Sequence, residues 1–325
     1  MKWNAENSKY VGGLMYVPVT FPYNRPDAVL IEDFKIEHYV EYINSHQLKK
    51  AYFQWLYDFE FVKSCPNLEY ITIEFKLPFK EYKNSVLKND KIYREYDLTP
   101  ILSIKNLKYL DIINNEEYDV KTKAKIDISK FKELMVYIGD YSYTENINKT
   151  FSLKSLSLNK FKGINFEEFN QLRNIDTFSG TFLSIKTLDG IENWEKLQCL
   201  YLYYNRSLKD INALSKVKNS IKALRIENCP KIEDFSVLGE LENLELLELT
   251  GNNVLPNLDF IKTMKNLKTF ICNMNVLDGD LTPCLNLSYV YVEPIRRHYN
   301  LKDIDLPKGK YVRGNENIEE WRRLE

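Results

Sequence analysis

Residues 197–205 read LQCLYLYYN, and the same phrase returns twice downstream. Leu197, Leu200, Leu202 and Asn205 are followed by Ile221, Leu224, Ile226 and Cys229, then by Leu244, Leu247, Leu249 and Asn252. The first positions stand 24 and 23 residues apart. Within the phrase the apolar residues alternate as in a strand, whose side chains point to opposite faces in turn. The rest of each repeat is long enough to bring the chain back beside its own start. A coil of this size cannot bury its apolar edge alone, so successive coils must stack and leave one strand face open.

Marking each coil by its first leucine rules the chain from Leu48 through Leu68, Leu107, Leu134, Leu153, Leu172, Leu197, Ile221, Leu244 and Leu267 to Leu287. The step from Leu68 to Leu107 is 39 residues and predicts an insertion near 76–96. The first coil is the weakest match, with Ala51 and Phe53 in place of leucines. Between phrases, the segments opening at Asp97, Asp234 and Asp259 each carry an apolar pair and close on Asn-Leu. An Asp before a short apolar run predicts an N-cap, hence short helices or 3-10 turns on the convex side. The Asn ending each phrase, Asn205 or Asn252, has a side-chain amide suited to satisfying backbone groups in a ladder along the stack.

The ends must differ, because a stack has to hide its terminal apolar faces. Residues 1–47 read as an N-terminal cap, with a hairpin at Gly12 and Gly13 and a helix through Ile36, Tyr39, Val40 and Ile43. The repeats, about 11 coils, occupy 48–294, and 295–325 read as a C-terminal cap carrying Trp321. The expected fold is therefore α/β: a right-handed leucine-rich-repeat solenoid with a parallel concave sheet and two distinct caps.

The coils from Leu172 to Val292 resemble the bacterial internalin type of leucine-rich repeat and the similar repeats of phosphatase-regulating proteins. Leu208 with Ile211, Ile232 with Phe235, and Leu258 with Ile261 supply the apolar positions that follow the Asn in that type. The resemblance implies a binding scaffold and leaves the partner open.

Composition narrows the function. A net charge of −1 supplies no global field toward nucleic acid or an anionic membrane. The five cysteines form no C-x-x-C pair; Cys229 and Cys272 read as small buried hydrophobes in a reducing compartment. The first 26 residues contain no continuous apolar region of a signal peptide, which predicts a cytoplasmic protein. No catalytic or metal motif occurs among the three histidines His38, His46 and His298, and Cys199, read as an exposed strand residue, has no histidine beside it. The expectation is no enzyme, no cofactor and no metal.

Strand alternation places the fourth and sixth residues after each marker on the open face. Those two columns hold seven carboxylates, Asp111, Asp176, Glu248, Glu74, Asp140, Glu227 and Glu293, and one cation, Arg225. The first residue after the marker, at the rim, is often lysine, as at Lys49, Lys108, Lys154, Lys222 and Lys268. A phosphate-binding groove needs cations at its centre, so nucleic acid is disfavoured. Tyr201, Tyr203 and Tyr204, flanked by Phe178 and Arg225, form an aromatic cluster beside Asp176, Glu227 and Glu248. These eight residues are the predicted protein-binding site, suited to a partner with a basic patch such as a toxin held by an immunity protein. The alternatives are a secreted or surface adhesin of internalin type that binds a host protein or glycan, and a regulatory subunit for a phosphatase or ligase.

Overall fold

The computed structural model describes residues 9–11, 14–16, 29–31, 36–54, 56, 58–75, 93–114 and 119–312. The turn at Gly12 and Gly13, most of the insertion (76–92) and the region around Trp321 lie outside the described residues. The described chain falls into two compact units, one within Met1–Leu153 and one within Lys154–Glu319. Both are leucine-rich-repeat stacks, with one parallel strand per coil and a short return segment.

In the first unit, Lys9–Val11, Leu14–Tyr16 and Val29–Ile31 pair antiparallel in succession, with Val11 opposite Leu14. From Val29–Ile31 onward every pairing is parallel, through Lys50–Gln54, Tyr70–Phe75, Tyr109–Asn114 and Val136–Asp140. The helix Ile36–Ser45 forms where its apolar spacing predicts, and Tyr39 and Ile43 are buried. Ala51 and Phe53 fill the leucine slots of the weak first coil and are equally buried. The C-terminal end of the insertion, Tyr93–Tyr96, pairs parallel with Asp119–Thr122 in a small separate sheet.

In the second unit seven parallel strands follow in register: Ser155–Asn159, Thr177–Thr181, Cys199–Tyr203, Ala223–Glu227, Leu246–Thr250, Thr269–Cys272 and Tyr289–Val292. The return segments are 3-10 turns, such as Asn212–Lys216, Ser236–Glu240 and Asp259–Thr263. Asp97 and Asp234 accept the backbone N–H two residues on, from Thr99 at 2.9 Å and Ser236 at 2.8 Å. In the third case Asn257, not Asp259, accepts the amide, and Asp259 pairs with Lys262 instead.

The register corrects one coil marker. Thr177 stands opposite both Ser155 and Cys199, so the coil starts at Ile175 and the steps on either side are 22 residues. Leu172 belongs to the preceding return segment. The phrase was disguised because Gly180 occupies a core leucine slot. Leu183 fills the space beside it: a Cβ on Gly180 would lie 2.4 Å from Leu183 Cδ1. The correction moves two predicted site residues. Phe178 takes a core position, fully buried, packed on Phe166 at 4.9 Å and Trp194 at 5.0 Å. Asp176 becomes a rim residue.

The asparagine ladder is real and shifted once. Asn205 is wholly buried; its amide Nδ2 donates to Gly180 O at 3.2 Å, and its Oδ1 accepts from Leu183 N at 2.7 Å. One coil later Cys229 fills this slot. In the next coil Gly251, at φ +139°, adds a residue, so Asn253 rather than Asn252 donates to Cys229 O and Ile232 O. Asn252 is exposed. All five cysteines are buried free thiols, Cys199 included. Burial raises the thiols of Cys65 and Cys229 to about 11 and those of Cys272 and Cys284 to about 12.

Candidate functional site: the strand face of the second unit

Three rows run across the strands of the second unit. The row at the start of the strands contains Thr177, Cys199, Ala223, Leu246 and Thr269, all at most 1% exposed. The equivalent row of the first unit, Tyr70, Tyr109 and Val136, is also buried; in the second unit a strap from the chain's C-terminal region covers part of the row. Val290 N donates to Pro307 O, Gly309 N donates to Ser288 O, and Lys308 bridges antiparallel to Tyr289. The strap then turns across the sheet, where Val312 N donates to Thr269 Oγ1 at 2.9 Å. Tyr311 packs on the patch formed by Cys199, Ala223 and Leu246 and meets the Tyr289 ring edge-on at 5.4 Å. The exposed placement expected for Cys199 is therefore wrong.

The middle row holds Ser179, Tyr201, Arg225, Glu248, Ile271 and Tyr291 in register. Arg225 organises it. Its guanidinium lies 5.1 Å from the Tyr201 ring centroid, and Nη2 donates to the Tyr311 hydroxyl at 3.3 Å. Nε lies 3.3 Å from Glu248 Oε2, an ion pair by distance without the alignment of a hydrogen bond. Tyr203, from the next row, hydrogen-bonds the same guanidinium. Burial raises the Tyr203 hydroxyl above its ordinary value, and the carboxylates Glu248 and Glu227 add to the rise against Arg225. The planar guanidinium suits this work, stacking on a ring while its edge donates.

The third row, Thr181, Tyr203, Glu227 and Thr250, ends the strands. In the first five coils of this unit the next residue leaves in the left-handed region: Lys160 (φ 59°), Phe182 (54°), Tyr204 (56°), Asn228 (51°) and Gly251 (139°). Their amides donate along the stack, Phe182 to Tyr203 O, Tyr204 to Glu227 O and Asn228 to Thr250 O. Phe182 and Tyr204 are 39% and 38% exposed, with ring centroids 5.3 Å apart. The Tyr204 hydroxyl hydrogen-bonds the Glu227 carboxylate, which raises its pKa.

Of the eight predicted residues, the structure thus gathers Tyr201, Tyr203, Tyr204, Arg225, Glu227 and Glu248 on adjacent strands. Asp176 and Phe178 leave the group. Asp176 lies at the rim near Lys154 and accepts from Thr177 Oγ1 at 2.9 Å; burial raises its pKa. The rim lysines are paired along the edge: Lys268 meets Glu245, and in the first unit Lys49 and Lys108 share Glu69, all at 2.8 Å. The face is less acidic than its sequence implied. In the first unit Asp111 and Asp140 are buried, and Glu74 accepts from the Tyr52 hydroxyl. In the second, Glu293 accepts from the Tyr291 hydroxyl.

Two functional candidates were missed. Phe182 follows from the corrected marker, exactly one coil before Tyr204. Tyr311 has no periodic signal, because the strap lies outside the repeat. Among the described residues no cluster of His, Cys, Asp and Glu could hold a metal ion, and no helix is long and apolar enough to cross a membrane. His46 stacks on Tyr42 at 3.9 Å, and His298 Nε2 lies 2.9 Å from Val276 O.

No family model matches the sequence, and no curated protein matches it. Solved structures do. TLR13 in complex with ssRNA13 superposes with a TM-score of 0.52 at 18% identity, over 81% of this chain and 46% of that one. An internalin from Listeria monocytogenes, InlF, matches with a TM-score of 0.46 at 16% identity, over 83% of this chain and 69% of that one. A leucine-rich-repeat protein of Leptospira interrogans matches at 0.37 and 16%, over 76% and 74%. This chain spans less than half of the TLR13 chain, and at such identities the likeness concerns fold alone. The repeat phrase, the parallel register and the buried asparagines Asn205 and Asn253 give the chain the leucine-rich-repeat fold.

Proposed function

We propose that this chain is a non-enzymatic, cytoplasmic binding module that takes a protein partner on the strand face of its second unit. The observation that carries the reading is the cluster of Tyr201, Tyr203 and Arg225 with Glu248 on adjacent strands. Aromatic rings and an arginine, half-buried and held by one another, are the residue types that dominate specific interfaces. Because they are already ordered, a partner spends little side-chain entropy in meeting them. Arg225 and Glu248 offset each other, which leaves Glu227 as the net charge and favours a partner with a basic patch. A basic toxin held by its immunity protein would have that chemistry. A phosphate backbone would meet one arginine already held by Tyr201, Tyr203, Tyr311 and Glu248, so nucleic acid fits this face poorly.

The experiment is capture from the source organism with wild type and with Tyr203→Ala, then titration of the purified captured protein. Tyr203→Ala should weaken binding at least roughly tenfold, in keeping with loss of a central aromatic anchor. Lys154→Ala, at the rim, should change affinity much less. A captured protein that binds Tyr203→Ala and Tyr201→Ala as tightly as wild type overturns the proposal.

A further inference from the structure

Five successive coils of the second unit place the residue after the strand in the left-handed region. In that conformation a Cβ crowds the backbone, and glycine or asparagine is the comfortable occupant. Two of the five coils comply, with Asn228 and Gly251. Two others place Phe182 and Tyr204 there, the bulky residues least suited to it. Their burial does not repay the conflict, because both rings stay more than a third exposed. Strain kept at an exposed, ordered pair of rings points to use rather than to packing.

The surroundings say what the rings would hold. They lie 5.3 Å apart and tilted by 35°, so their outer faces make a small two-ring platform. At its edge the Glu227 carboxylate is fixed by the Tyr204 hydroxyl and by Asn228 Nδ2 at 3.4 Å. An aromatic face attracts a cation through its quadrupole, and a fixed carboxylate beside it completes a receptor for one. We propose that Phe182 and Tyr204, with Glu227, form a docking platform for an arginine or lysine side chain of the protein partner. This deepens the proposed function, on which it rests, by naming a second anchor point beside the Tyr201–Arg225 cluster.

The test uses fluorescein-labelled hexa-arginine as probe and hexa-citrulline, its neutral isostere, as control, with binding read by fluorescence anisotropy on the full chain. Phe182→Asn and Tyr204→Asn are the informative variants, since Asn228 shows that the position accepts asparagine. Each should raise the dissociation constant for hexa-arginine at least fivefold without lowering the thermal unfolding midpoint. Glu227→Gln should weaken binding similarly, and Phe182→Tyr should retain it. Equal binding of hexa-citrulline, an unchanged constant in the asparagine variants, or a midpoint that falls by several degrees in them overturns the platform. The last result would assign the rings to packing. None of these outcomes touches the Tyr203→Ala experiment, because Tyr203 is not part of the platform, so the two readings fail separately.

Discussion

Arg225 Nη2 donates to the Tyr311 hydroxyl at 3.3 Å, joining residues 86 positions apart in the chain. The contact places a residue from beyond the last repeat at the centre of the strand face. Tyr311 also packs on the row beneath, where Cys199 is wholly buried beside Ala223 and Leu246. Tyr311→Ala should therefore uncover Cys199. In wild type, none of the five thiols should react with a bulky disulfide reagent over minutes, since all are buried. In Tyr311→Ala one thiol should react, and the signal should vanish in Tyr311→Ala/Cys199→Ser. Tyr311→Phe keeps the ring and loses one hydrogen bond, at a cost of about 1 kcal/mol, and should leave the thiol protected. A thiol count of zero in Tyr311→Ala would mean that the strap does not cover the row.

The corrected register makes opposite predictions for two neighbouring aromatics. Phe178 fills a core slot against Phe166 and Trp194, whereas Tyr204 sits at the exposed strand end. Phe178→Ala should cost about 3–5 kcal/mol in denaturant unfolding, the usual range for a large buried ring. Tyr204→Ala should stay within about 0.5 kcal/mol, as surface changes do. Equal costs would restore Leu172 as the coil marker and return Phe178 to the surface.

How legible the fold was depends on which residue fills each slot. From Leu197 to Asn205 every leucine-type position is apolar, so the repeat shows. One coil earlier Gly180 stands in such a slot and Leu183 fills the gap from outside the phrase, so the leucine pattern points to Leu172, three residues before the true start at Ile175. Two site residues are displaced with it. The extra residue at Gly251 likewise hid Asn253 behind Asn252. The aromatic cluster itself was readable, because strand alternation fixes which face Tyr201 and Tyr203 take. Its partners were not all readable: Tyr311 arrives by a strap whose path depends on hydrogen bonds to Ser288 and Thr269, and no periodicity announces those.

The ladder offers a paired test. Asn205→Ala strips Gly180 O and Leu183 N of their partners inside the core, and buried unsatisfied groups are expensive. A loss of about 2 kcal/mol or more is expected. Asn253→Ala should cost a similar amount, since its amide serves Cys229 O and Ile232 O. Asn252→Ala, on an exposed side chain, should be nearly silent. Urea unfolding of the three variants separates them, and a costly Asn252→Ala would contradict the shifted ladder.

The carboxylates predict two opposite responses to acid. Asp97 and Asp234 lie below their ordinary values because Thr99 and Ser236 hydrogen-bond the charged form. A depressed pKa contributes stability above the unfolded value, and that contribution is lost as pH falls through the folded one. Asp176 is the reverse: burial raises it, against Thr177, Lys154 and Lys196. Its contribution is fully present below the unfolded pKa and lost as pH rises through the folded one, so the charged form is a liability at neutral pH. Asp176→Asn keeps an acceptor for Thr177 Oγ1 and removes the charge. It should raise the unfolding midpoint at pH 7 and lose that advantage toward pH 3, where the wild-type carboxyl is itself neutral. Asp234→Asn should instead lower the midpoint at pH 7 and match wild type in acid. Thermal unfolding across that pH range checks both, and a stabilising effect of Asp176→Asn that persists unchanged in acid would refute the buried-charge explanation.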